Sequence, residues 1–144
     1  MDMFTSLRIS ASALQAQRIR LDTISSNMAN AETTRTPDGG PYRRKMVVFE
    51  PQQLSFGDHL TSVRKRKSAE GVHVAGIVSD QSQFKLVYDP KHPDANADGY
   101  VSMPNVDILK ETTDMMSATR AYEANVTAIK AAKRMALKSL EIGR

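Results

Sequence analysis

Leu7, Leu14, Leu21 and Met28 recur every seven residues near the start of the chain, with Phe4, Ala11 and Ile24 filling much of the row between them. A second ladder runs Ile108, Met115, Tyr122, Ile129 and Ala136, with Thr112, Thr119, Val126 and Leu140 between its rungs. The middle of the chain carries no such ladder. A seven-residue repeat keeps one stripe of a helix facing a partner along its whole length. Neither helix can bury its own stripe. Backbone ordering costs about 1–2 kcal/mol per residue, whereas a fully buried apolar side chain contributes about 1.5–3 kcal/mol. One stripe residue every three or four positions therefore leaves a lone helix short. The pattern predicts terminal helices that become ordered on assembly, and it leaves open whether the stripes pair within one molecule or across molecules.

The first helix is predicted from about Phe4 to Met28, a stretch without Gly or Pro, with Asp2 as its capping residue. Thr36-Pro37-Asp38-Gly39-Gly40-Pro41 reads as a turn. From Tyr42 the period becomes two, with Met46 and Val48 on one face and Val47 and Phe49 on the other. Val72, Val74 and Val78 form a second run with Gly76 as a possible bulge, and Phe84, Leu86 and Tyr88 form a third. Three strands predict a small antiparallel sheet or hairpin module. Asp89 to Pro104 is expected to be extended and irregular. Asn105 or Asp107 caps a second helix that runs to about Ile142 and stops at Gly143. The expected fold is α+β: long N- and C-terminal helices pairing as a coiled coil, with a small central β-rich module. The expected divisions are 1–34, 35–104 and 105–144.

Composition sharpens this picture. In 144 residues the apolar fraction is 40%, aromatics are 6% and Trp is absent, which favours a small folded centre with helical arms over one large core. The net charge of +4 is mildly basic and implies weak attraction to polyanions. With no Cys there is no disulfide framework or thiolate site. Arg8, Ser10, Ser12 and Gln15 interrupt any secretory signal, and no stretch reaches the roughly 20 apolar residues of a membrane span. No direct membrane insertion is expected.

Candidate sites for chemistry are weak. Asp94-Ala-Asn96-Ala-Asp98-Gly99 opens like a calcium loop, but its twelfth position is Asn105 instead of a bidentate Glu. It reads as an Asp/Asn turn. His59, His73 and His92 share no ligand spacing. No phosphate loop or nucleophile constellation is present, so no catalytic residue, cofactor or metal is assigned, and the chain is read as a non-enzyme. Arg64 to Lys67, with Lys130, Lys133, Arg134 and Lys138, suggests an alternative basic nucleic-acid-binding module. Against that reading, no aromatics are interleaved for base stacking, and cations suit a helix C-terminus in any case. No nucleic-acid partner is expected.

The second helix bears another stripe, Ala118, Ala121, Asn125, Ala128, Ala132 and Met135, whose small side chains suit close approach to more than one neighbouring helix. The first helix closes on Ser25-Ser26-Asn27-Met28-Ala29-Asn30, followed by Tyr42-Arg43-Arg44-Lys45. These strings resemble the N-terminal signature of the flagellar basal-body rod, hook and filament-junction family. Arg120-Ala-Tyr-Glu-Ala-Asn125 resembles that family's C-terminal motif. Asn30 to Lys45 with its Thr36–Pro41 insertion, Asp89 to Tyr100, and Pro104 to Asp107 resemble proximal-rod members in particular.

The resemblance implies a structural subunit of the rod that crosses the periplasm, exported without a cleaved signal peptide. Its implied partners are copies of itself and other rod proteins, together with the basal-body membrane ring or its adaptor. The expected assembly interface comprises Leu7, Leu14, Leu21, Asn27, Met28 and Asn30 on the first helix. On the second it comprises Ile108, Met115, Ala118, Ala121, Tyr122, Asn125, Val126 and Ile129. Asn27 and Asn30 are expected to bond helix-end carbonyls or to enter a left-handed turn. Asn125 is a candidate register-fixing residue.

Overall fold

The computed structural model describes residues 3–52 and 71–142. The expected helix ends at Asp2 and Gly143, the Arg64–Lys67 run and His59 lie outside those residues. Helix α1 spans Met3–Ala29, and helix α2 spans Ile108–Ile142, lengths of about 40 and 52 Å at the standard rise. Between them lie β1 (Lys45–Pro51), β2 (Val72–Ser79), β3 (Lys85–Tyr88) and β4 (Tyr100–Met103). The α+β order of two long helices around a small β module is as the periodicity predicts.

The element ends follow local chemistry. Asp107 starts α2: its Oδ1 accepts from the Leu109 N–H at 3.0 Å, satisfying a donor the helix cannot. At the end of α1, the backbone N–H and side-chain Nδ2 of Asn30 both donate to the Ser26 carbonyl, at 3.2 and 2.8 Å. The Thr36–Pro41 turn closes through the Thr36 N–H to the Gly40 carbonyl, with Gly39 and Gly40 at φ 87° and 78°.

The β module departs from the three-strand expectation. It contains four strands in two separate antiparallel pairs, β1 with β2 and β3 with β4. Strand β4 falls inside the stretch expected to be irregular. Gly99 at φ 79° lets the chain turn back, after which Tyr100–Met103 aligns with Lys85–Tyr88. The register of the first pair shifts between Val48 and Phe49, leaving Ala75 as the extra residue beside Gly76, the neighbourhood where a bulge is expected. Val47 and Phe49 are more covered than Met46 and Val48, and Val72 and Val74 more than His73 and Ala75. This hairpin packs on α1.

Helix α1 also packs along α2. Arg20 meets Asp114 and Asn27 meets Glu111, so the two helices run antiparallel. In that register Met3 lies level with about residue 133 of α2, and the last two turns of α2 continue beyond α1. The covered row of α2 is Glu111, Ala118, Asn125 and Ala132, with Ala118 fully buried and Asn125 half-buried. On α1 the deepest positions are Ala16, Thr23, Ile24 and Asn27. The seam therefore runs beside the two apolar ladders, and not down their centres.

Candidate assembly surfaces and the helix junction

The most constrained part of the molecule lies where α1 ends, β1 begins and α2 starts. Asn27, 1% exposed, uses every hydrogen-bonding position of its amide. Its Oδ1 accepts from the Lys45 N–H at 2.9 Å and the Tyr42 hydroxyl at 3.0 Å. Its Nδ2 donates to the Lys45 carbonyl at 2.8 Å and to Glu111 Oε2 at 3.0 Å. The pair of bonds to Lys45 imitates a strand partner, so a helix side chain completes the first rung of β1.

Glu111 is completely buried and is compensated from both sides. Its other oxygen accepts from Arg44 Nε at 2.6 Å. The same guanidinium reaches Asp114 at 3.5 Å and Asp80 at 3.8 Å, while Arg20 pairs with Asp114 at 3.1 Å. A buried carboxylate without such partners is very costly, so Glu111 depends on both Arg44 and Asn27. Around it, the Arg44 N–H donates to Asn105 Oδ1 at 2.8 Å, and Asn105 Nδ2 donates to Ser82 Oγ at 2.8 Å. Arg43 stacks over the Phe84 ring at 4.3 Å and donates to the Asp80 carbonyl at 3.1 Å. Hydrogen bonds from Ser82, reinforced by the Arg44 and Lys110 charges, hold the Asp80 carboxyl below its ordinary range despite some desolvation.

The structure thus links motifs that lie far apart in sequence. Each residue of Tyr42-Arg43-Arg44-Lys45 has a partner across the junction. The cap position is Asp107, and Asn105 instead joins Arg44, just before β1, to the Ser82 loop. Asn30 bonds a helix-end carbonyl, as its motif suggests. Asn27 does not: it bonds the strand and the other helix. Glu111 is the acidic residue in the first turn of α2 and suits the positive end of that helix. Its seven-residue spacing from Ala118, Asn125 and Ala132 is the signal that marks it as buried.

The other expected interface residues are distributed differently. Leu7, Leu14, Leu21 and Met28 are all half-buried, as are Met115, Ala121, Asn125, Val126 and Ile129. Ile108 is 51% exposed, and Tyr122 sits at the surface. Asn125 Nδ2 donates to the Ala121 carbonyl of its own helix at 2.8 Å. Phe4, Met135, Leu137 and Leu140 are exposed at the end of the helical pair remote from the junction. Among the described residues no cluster of His, Cys, Asp or Glu could hold a metal, and no helix is long and apolar enough to cross a membrane.

Long paired helices with uncovered apolar flanks, held by a polar junction, present surfaces suited to further packing. Residues 7–35 match the family described as flagella basal body rod protein, and residues 97–142 match the flagellar basal body rod FlgEFG protein C-terminal family. The chain is 53% identical to the flagellar basal-body rod protein FlgC of Bacillus subtilis, each covered over its whole length. It is 44% identical to that of Borreliella burgdorferi over 99% of this chain and 98% of the relative. With the Salmonella typhimurium protein the identity is 43% over 94% of each. The chain belongs to the FlgC family of flagellar basal-body rod proteins. It is a structural subunit of the flagellar basal body and not an enzyme. Nothing in the matches or the fold supports the nucleic-acid alternative.

Proposed function

We propose that this chain is a proximal-rod subunit whose terminal helices pack, as a coiled coil with those of neighbouring copies and other rod proteins, into an axial shaft that transmits torque. The carrying observation is the half-buried state of the α1 ladder. Leu7, Leu14, Leu21 and Met28 keep apolar surface open along the whole helix although α2 already lies beside it. Met115, Ala121, Val126 and Ile129 flank the seam on α2 in the same way. Surfaces of this kind are energetically incomplete until a neighbour covers them. In this reading residues 1–34 and 105–144 form the inner, assembling layer. Residues 35–104 form an outer module facing the membrane ring or its adaptor, and Asn27 and Asn30 support the interface indirectly.

The absence of Cys makes the test direct. Single-cysteine variants at Leu14, Leu21 and Ile129 are expected to cross-link to neighbouring rod subunits in isolated basal bodies. A chromosomal deletion is expected to abolish swimming. Cross-links confined to a cysteine placed at exposed Leu86, with none from the helical flanks, would contradict the arrangement.

A further inference from the structure

Strand β3 leaves one edge open. The Asp89 N–H donates to the Gly99 carbonyl at 3.0 Å, which makes Asp89, Val87 and Lys85 the hydrogen-bonded positions of the β3–β4 ladder. The N–H and carbonyl groups of Leu86 and Tyr88 therefore point away from β4. Among the described residues they meet no hydrogen-bond partner. The outer edge of β4 is turned inward instead. There the Tyr100 carbonyl accepts from the Asn96 N–H at 2.9 Å, and residues 34–41 lie across a cleft. All of β3 is exposed, with Leu86 and Tyr88 each at 65%. An apolar strand edge of this kind is a template for another strand.

The edge complements itself when reversed, because Lys85-Leu86-Val87-Tyr88-Asp89 runs from a cation through three apolar residues to an anion. From this we infer that β3 pairs antiparallel with β3 of a second copy of this chain, about a two-fold axis at Val87. Leu86 then faces Tyr88 of the second copy, and the two exchange N–H and carbonyl bonds. Val87 faces Val87, and Lys85 faces Asp89, in the closer non-hydrogen-bonded pairs where side chains meet most directly. The Lys85 ammonium uses one donor on the Val106 carbonyl at 2.9 Å, and Asp89 uses one oxygen on the Lys91 N–H at 3.1 Å. Each keeps further capacity for the other. Charge thus selects both the occupant and its direction, since a parallel strand in the same register would set Lys85 beside Lys85. Pro90 ends the pairing, having no N–H to offer. A helical shaft grows through contacts between two different surfaces, whereas this contact joins one surface to itself. In the assembling role proposed above, on which this step rests, the β3 pair is the form a subunit holds outside the shaft.

Because the full chain has no Cys, one introduced thiol reports the axis. Under mild oxidation, dilute Val87→Cys is expected to form a disulfide dimer, since the axis sets the two thiols opposite each other within bridging reach. Leu86→Cys is the control for random collision. Its counterpart lies diagonally, about 7–8 Å away, so it should cross-link at least about tenfold more slowly. Charge reversal gives a second reading by sedimentation velocity, with circular dichroism confirming that each variant stays folded. Lys85→Asp alone and Asp89→Lys alone set like charges opposite each other, and each should weaken dimerisation at least about tenfold. Mixed, they should form a one-to-one dimer about as tight as that of the parent. Equal cross-linking from both cysteines, undiminished dimers from either single reversal, or a mixture that does not dimerise would overturn the pairing. So would Val87→Cys that stays monomeric in solution yet cross-links to a different rod protein in basal bodies. Any of these results alongside cross-links from the helical flanks would leave the rod reading intact and remove only the β3 contact.

Discussion

Asn27 and Glu111 show how one amide can organise a fold. Removing the amide by Asn27→Ala strands the Lys45 N–H and carbonyl and one oxygen of Glu111, and leaves the Tyr42 hydroxyl only its 3.4 Å contact with Ser26 Oγ. Each buried polar group left without a partner costs about 1–3 kcal/mol. A loss of roughly 3 kcal/mol is expected in urea unfolding, with part recovered by solvent entry. Glu111→Ala leaves Arg44 partly buried beside a void and should cost about 3–5 kcal/mol, whereas a matched apolar replacement of both Arg44 and Glu111 should cost much less. Asp80 contributes at the rim of the same network. Its carboxyl is lowered from 3.8 on folding, so its stabilisation is fully present above about pH 4 and is lost as pH falls through the depressed value. Asp80→Asn is therefore expected to flatten the acid limb of stability against pH while leaving the neutral plateau pH-independent. An unchanged acid limb would show that the Ser82 hydrogen bonds do not favour the ionised form.

The elements were legible to different depths. The helices announce themselves because a seven-residue repeat over four or five rungs has few other physical meanings. Strand β4 does not, because Tyr100–Met103 is four residues long and follows an Asp-rich turn. Its strand character comes from pairing with β3 more than from its own sequence. Gly99 is the visible trace of that pairing. Its φ of 79° and an added Cβ only 2.9 Å from the Tyr88 ring predict that Gly99→Ala destabilises the β3–β4 pair by about 1–2 kcal/mol. Nuclear magnetic resonance of the Lys85–Tyr88 amides would register the change, and unaltered shifts there would argue against the strain. The asparagine motifs were recognisable as strings, yet the role of Asn27 was not, since its partners lie 15 to 84 positions away. The ladders were legible as apolar rows, and the small-residue stripe marked the seam on α2, where Ala118, Asn125 and Ala132 are covered and the larger side chains lie on the flanks. What the sequence left open is that α1 of the same chain fills that seam.

At the scale of the molecule, the junction and the flanks divide the work of folding and of assembly. The junction satisfies its charges and amides entirely within one chain. The remote half of the helical pair has few buried residues, a net positive charge and exposed Phe4, Met135, Leu137 and Leu140. Ordering on assembly, expected from the sequence for both whole helices, is therefore expected most strongly in this half. Local stability tracks buried contact and can be read amide by amide. Hydrogen exchange of the dilute monomer and of the assembled rod tests this directly. In the monomer, amides of residues 22–30 and 111–118 should be protected, while those of residues 5–14 and 128–141 exchange quickly. Assembly should slow the second group by at least about tenfold. Uniform protection of both helices in the monomer, or remote-half amides that exchange equally fast after assembly, would contradict the account.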